Sequence, residues 1–203
     1  KLIVNPISGR GHSLKLLPVI ETKLKEAGLD YSVEVTERPW HAAELAEQAV
    51  YDGFDTVVAV GGDGTANEVL NGLMAAKKAG HPAVMGILSV GRGNDFAFGA
   101  GVPTDCEAAC GALALYNTRK IDVGRVSGGL VPDGRYFGNG VGIGFDAVVG
   151  VESLKVRPLT GFAGYLVAAL RTIYLYFNAP EVHIQVDDKT IDQNALMVSV
   201  MNG

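Results

Sequence analysis

Gly61-Gly62-Asp63-Gly64-Thr65-Ala66-Asn67-Glu68-Val69-Leu70-Asn71-Gly72-Leu73 is the stretch from which the fold of this chain can be read. It follows an apolar run, Phe54 to Val60, whose Val57, Val58 and Val60 suit a buried strand. Apolar residues then recur at positions 66, 69, 70, 73 and 74, the spacing of one helical face. A glycine-rich turn therefore joins a strand to a helix. Glycine tolerates positive φ and lets backbone N–H groups point outward, and a helix N-terminus adds positive potential, so Gly61, Gly62 and Gly64 suit a phosphate. Thr65 and Glu68 admit a second reading, a T-x-x-E capping box that any helix start can use.

The 203 residues are 48% hydrophobic and 19% charged, enough for one large or two modest domains with real cores. A net charge of -5 and a pI near 5.3 argue against a nucleic-acid partner, which would draw on a Lys/Arg excess. An anionic ligand must then be held locally, by loops. Cys106 and Cys110 stand four apart on an expected helix with no second Cys or His pair to complete a zinc site, so they read as small buried or half-buried thiols. Neither a signal peptide nor a transmembrane segment is expected from these residues, which contain no uninterrupted apolar run of 18; the nearest candidate, Gly161 to Phe177, is broken by Arg171. A soluble, cytoplasmic protein is expected. Lys1 already lies inside an apparent strand, so the natural start is expected upstream.

Leu2-Ile3-Val4 is a short strand that runs into Asn5-Pro6-Ile7-Ser8-Gly9-Arg10-Gly11, and a helix follows with Leu16, Leu17, Ile20, Leu24 and Ala27 on one face, Pro18 near its first turn and Gly28 as its stop. Residues 31–35 alternate like a half-buried strand ending at Thr36, and Ala42, Leu45, Ala46 and Ala49 mark a helix with Pro39 at its entrance. The strand at 54–60 with a helix at 65–79 makes a third unit, and residues 83–88 supply a fourth strand that opens into Ser89-Val90-Gly91-Arg92-Gly93-Asn94-Asp95. This alternation predicts an α/β fold, a doubly wound parallel sheet with right-handed crossovers, in which ligands bind beyond the C-terminal ends of the strands. The loops at Asn5, Thr36, Gly61 and Gly91 all fall at those ends, which favours the phosphate reading of the Gly61 turn. After a helix at about 104–116 the pattern changes to β-like runs at 119–125, 136–144, 181–187 and 195–200 around a helical region at 145–177. The expected division is an N-terminal α/β nucleotide-binding domain, 1–118, and a partial antiparallel β-rich domain with inserted helices, 119–203, continuing beyond Gly203.

Several of these motifs, in order, resemble the diacylglycerol kinase catalytic domain, a lipid kinase family that shares its G-G-D-G-T turn with NAD kinases and, more distantly, with phosphofructokinases. Besides the turn at Gly61, the family's N-P-x-S-G loop is matched by Asn5 to Gly9, its G-x-x-N-D-x-A element by Gly91 to Ala97 and its I-D-x-G strand by Ile121 to Gly124. Phe137-Gly138-Asn139, Gly142 to Ala147, Lys155 and Tyr165 to Arg171 match its passage into a second domain. The resemblance spans almost the whole chain. It implies an ATP- and Mg2+-dependent enzyme that transfers the γ-phosphoryl group to a lipid hydroxyl, a reaction that needs positioning and charge neutralisation more than covalent work.

On that resemblance the nucleotide-binding set is Asn5, Ser8, Gly9, Thr36, Gly61, Gly62, Asp63, Gly64, Thr65, Asn67, Glu68, Arg92 and Asn94. A carboxylate beside a triphosphate calls for a cation between them, so Asp63, Asp95 and Asp122 are expected to hold Mg2+, partly through water. The alternative for Asp95 is a helix N-cap, and Asp122 can equally pin its strand by hydrogen bonds. Ser89 and Arg92 stand where the family usually has Pro and Thr. Arg92 either clamps a phosphate with its fork of donors or forms a surface ion pair. The relatives' general base is an acidic residue in a D-G stretch further along, so no catalytic residue is assigned within this chain. The expected partner is a lipid alcohol presented at a membrane surface, with peripheral association there and a homodimer as an option.

Phe162, Tyr165, Leu166, Ala169, Leu170, Ile173 and Leu175 suit a helix packed in a core, or else a lipid cleft. His12, His41, His81 and His183 are scattered and suggest no metal site, and Trp40 reads as a packing residue at a helix start. Competing readings are an NAD kinase-like enzyme, against which Asn67 to Leu73 and Asn94-Asp95 stand, and a catalytically silent nucleotide-binding module. A dinucleotide oxidoreductase is disfavoured because the first βα loop is not G-x-G-x-x-G.

Overall fold

A computed structural model gives the fold and describes residues 1–91, 93–129, 131–155, 167, 170–171, 173–175 and 179–202. The first part alternates as β1 (Leu2–Val4), α1 (His12–Glu26), β2 (Val33–Val35), α2 (His41–Tyr51), β3 (Thr56–Gly61), α3 (Asp63–Lys78), β4 (Val84–Ser89), α4 (Asp95–Gly99) and α5 (Cys106–Leu115), with a 3-10 turn at Ser8–Arg10. The strands form a parallel sheet in the order β2-β1-β3-β4, with Leu2 opposite both Val33 and Val58, and Thr56 opposite Val84.

From β1 the chain steps outward to β2 and then returns past β1 to β3, so the winding reverses between β1 and β3. Right-handed crossovers then put α1 on one face and α2 and α3 on the other. The packing agrees. Ile3, Val57, Ala59 and Ile87 are buried with Ala42, Ala46, Val69 and Leu73, whereas Leu2, Val4, Val58, Val60 and Leu88 are buried with Ile20, Leu24, Ala109 and Cys110. The central strands are covered on both faces, which is why they read as continuous apolar runs instead of alternating ones.

The remaining strands pair antiparallel: β5 (Gly124–Gly128) with β6 (Val131–Phe137), β7 (Gly140–Gly144) with β10 (Met197–Met201), and β8 (Glu181–Val186) with β9 (Lys189–Asn194). A helix, α6 (Phe145–Lys155), follows β7. The chain forms two compact units, Lys1–Asn139 with Asn202, and Gly140–Met201. Within the second, Glu152 is buried and its Oε2 lies 3.0 Å from Arg171 Nε.

Several local expectations are corrected. Residues 119–123 lie outside the strand that begins at Gly124, and the 136–144 run is broken between Phe137 and Gly140. β9, with the polar sequence KTIDQN, is exposed along its whole length and carries no alternation by which to find it. Pro18 sits well inside α1, not near its first turn; it is exposed, on the side of the helix where a freed carbonyl meets water. Leu170, Ile173 and Leu175 are exposed instead of packed in a core, and Phe162, Tyr165, Leu166 and Ala169 lie outside the described residues.

Candidate functional site

The loops after β1, β3 and β4 are fastened to one another at the C-terminal edge of the parallel sheet, where the strand order reverses. Hydrogen bonds carry the sheet into the loops: Asn5 N–H donates to Val60 O at 3.0 Å, Thr36 N–H to Val4 O at 2.9 Å and Val90 N–H to Gly61 O at 2.8 Å. Side chains add to this. Asn5 Nδ2 donates to Thr65 Oγ1 at 3.0 Å, and the buried Ser13 hydroxyl donates to Asn5 O at 2.5 Å. Ser8 N–H bonds Asn5 O at 3.2 Å, and Gly9, at φ 57, presses so closely on the β4 loop that a Cβ there would lie 2.5 Å from Val90 O. Thr36 is buried beside this edge.

The turn itself is shaped by close backbone approach. A Cβ on Gly91 would lie 2.7 Å from Gly62 Cα, so the loops after β3 and β4 touch only because both residues are glycine. Helix α3 starts at Asp63 with Gly62 as an extended N-cap that supplies no side chain, and its first intrahelical bond is Ala66 N–H to Gly62 O at 3.0 Å. The amides before it are those a helix start leaves without an intrahelical acceptor, and they carry the positive end of the helix dipole. Gly64 among them is exposed, and a Cβ built on it meets nothing within 4 Å. The capping box is not formed: Thr65 is buried in the first turn against Asn5, and Glu68 Oε2 accepts instead from Ala42 N–H of α2 at 3.2 Å.

Asp63 spans to the β4 loop and the first turn of α4, where its Oδ2 accepts from Asn94 N–H at 3.0 Å and its Oδ1 from Phe96 N–H at 2.8 Å. Asp95 is brought to the same place. A Cβ on Gly93 would lie 3.1 Å from Asp63 Oδ2 and 3.3 Å from Asp95 Oδ2, so both carboxylates lie beside that residue. Asp122 is exposed and is held through its backbone carbonyl, which accepts from Asn202 Nδ2 at 2.7 Å. Among the described residues no three His, Cys, Asp or Glu side chains gather as a metal cluster. Asn94, at φ 58, buries its Oδ1 without a hydrogen-bond partner. Asn67 is half-buried on α3, and Arg92 lies outside the described residues.

Two residues that sequence reasoning left unassigned hold the frame around these loops. Asn71 donates from Nδ2 to Tyr136 O and accepts at Oδ1 from Tyr136 N–H, both at 2.9 Å, standing in for a strand partner of β6. Asn202 Nδ2 bridges Asp122 O and Gly138 O, at 2.7 and 2.9 Å. The signal for Asn71 was present, a polar residue between the buried Leu70 and Gly72 on the face that packs.

Such a set of loops presents the helix-start amides of α3, a buried acceptor without a hydrogen-bond partner and two carboxylates beside Gly93, groups of the kinds that can meet an anion and a cation. A diacylglycerol kinase of Staphylococcus saprophyticus is 30% identical over 198 residues, 97% of this chain and 62% of the relative. One from Staphylococcus epidermidis is 31% identical over the same length, 60% of that relative. The crystal structure of a diacylglycerol kinase from Bacillus anthracis superposes on 100% of this chain and 63% of its own, with a TM-score of 0.74 and 28% identity. The chain thus spans less than two thirds of the length of these relatives. Residues 1–126 match the family described as the diacylglycerol kinase catalytic domain, and the chain belongs to that family.

Proposed function

We propose that this chain carries the ATP-binding part of a lipid kinase that transfers the γ-phosphoryl group of ATP to the hydroxyl of a lipid alcohol at a membrane surface. The observation that carries this reading is the start of α3: exposed Gly64, with open space above it, among helix-start amides at the switch point of the sheet. Gly61, Gly62, Gly64 and Thr65 cradle the phosphates, and Asn5, Ser8, Gly9, Thr36, Asn67 and Asn94 line the nucleotide. Asp63 and Asp95, both beside Gly93, would hold Mg2+, and Asp122 would join them through water. Bound Mg2+ supplies neutralisation of phosphate charge. The division into a nucleotide-binding domain, 1–118, and a β-rich second part, 119–203, belongs to the same reading.

No general base is assigned within these residues. The purified chain, incubated with radiolabelled ATP, Mg2+ and vesicles containing diacylglycerol, or with NAD in parallel, is expected to bind ATP and to transfer little label. Robust label on diacylglycerol overturns the view that the base lies elsewhere; label on NAD, or no ATP binding, overturns the lipid kinase reading.

A further inference from the structure

We infer that Glu68 is a positioning residue: from α3 it caps the neighbouring helix α2 and so fixes the loop 36–40, which carries Thr36, at the sheet edge of the Gly61 turn. Helix α2 begins at His41 after Trp40, a bulky residue at φ 66, and Trp40 provides no side-chain cap. A left-handed tryptophan is disfavoured and persists only where its surroundings over-determine it. Here they do. Glu68 Oε2 accepts Ala42 N–H at 3.2 Å, Trp40 O accepts Ala43 N–H at 3.1 Å, and the Arg135 guanidinium lies 4.2 Å from the Trp40 ring centroid. On the approach to the helix, Glu37 N–H donates to His41 Nδ1 at 3.1 Å.

Helix α4 repeats the device. It too starts after a non-glycine left-handed residue, Asn94, which lends no side-chain cap, and Asp63 of α3 accepts Asn94 N–H and Phe96 N–H. The two acids in the first half of α3 therefore each serve a helix start that cannot serve itself. Glu68 needs only an acceptor oxygen for this task. Contact with an anionic ligand, by contrast, would require its charge and a cation to offset it.

The consequence for binding rests on the nucleotide reading above; the cap itself does not, and the experiment separates the two. Amide hydrogen exchange over residues 37–43 and calorimetric titration with Mg-ATP are measured on the wild-type chain, Glu68→Gln, Glu68→Ala and Glu68→Met. Methionine keeps the length without an acceptor, should alanine leave a void that prevents folding. Gln is expected to stay within about twofold of wild type in both measurements, while Ala and Met speed exchange about tenfold and weaken ATP about fivefold to tenfold. Wild-type exchange in Ala and Met overturns the cap, and a Gln variant as weak for ATP as Ala overturns the positioning role in favour of a charge contact. If the wild type does not bind Mg-ATP, the nucleotide reading fails and the exchange rates alone decide the cap.

Discussion

Asp63 sits on the first turn of α3, yet its two carboxylate oxygens accept amide protons from Asn94, in the loop after β4, and from Phe96, in the first turn of α4. Its residue type and place in the turn were legible in the sequence. Its hydrogen-bond partners were not, because they lie 31 and 33 residues away and are set by the approach of two loops. Cys110 illustrates the other case, a residue whose environment follows from its helical position. It is buried, and burial, helped by the neighbouring Cys106 thiol, pushes its pKa from 9.0 up to about 11. The folded state then holds this proton more tightly than the unfolded chain does. The resulting stabilisation is complete below about pH 9 and is lost as pH rises from there through about 11. Urea midpoints compared between wild type and Cys110→Ala should draw together across that window, and a difference that stays constant from pH 8 to about 11 contradicts the assignment.

Helices α2 and α3 pack through small residues, Ala42, Ala46 and Ala49 on one side and Gly72 on the other. A Cβ on Gly72 would collide with the carbonyl oxygen of Ala43, so the two backbones are in contact there. Gly72→Ala should cost about 1–3 kcal/mol by overpacking, read from urea denaturation, even though alanine is the better helix former. A variant as stable as wild type contradicts this packing. Elements with strong periodicity were legible: β1, β3, β4, α2, α3 and α5 fall close to where their apolar spacing puts them. The misread positions have physical causes. The start of α3 moves to Asp63 because extended Gly62 ends the strand and Thr65 is taken up by Asn5, so no capping box marks the boundary. Strand β9 is polar and exposed, and only its pairing with β8 defines it.

The parallel sheet gathers the loops at Asn5, Thr36, Gly61 and Gly91 on one edge, and the order β2-β1-β3-β4 sets Asn5 and Gly61 on either side of the reversal. Strand alternation in the sequence was enough to expect that edge; the contacts that knit it, from Asn5 to Thr65 and from Gly62 to Gly91, needed the folded chain. No helix among the described residues is long and apolar enough to cross a membrane. Gly64 separates structure from function most cleanly, because it lies in a helix with open space where a Cβ would go. Alanine there should raise stability by about 0.5–1 kcal/mol, by removing the glycine penalty. It should also block the close approach of a phosphate to the helix-start amides. The decisive measurement is calorimetric titration of wild type and Gly64→Ala with Mg-ATP, alongside their thermal melts. The phosphate-cradle account predicts an unchanged or higher melting temperature and about tenfold or greater loss of affinity, and equal affinity in the two proteins would contradict it.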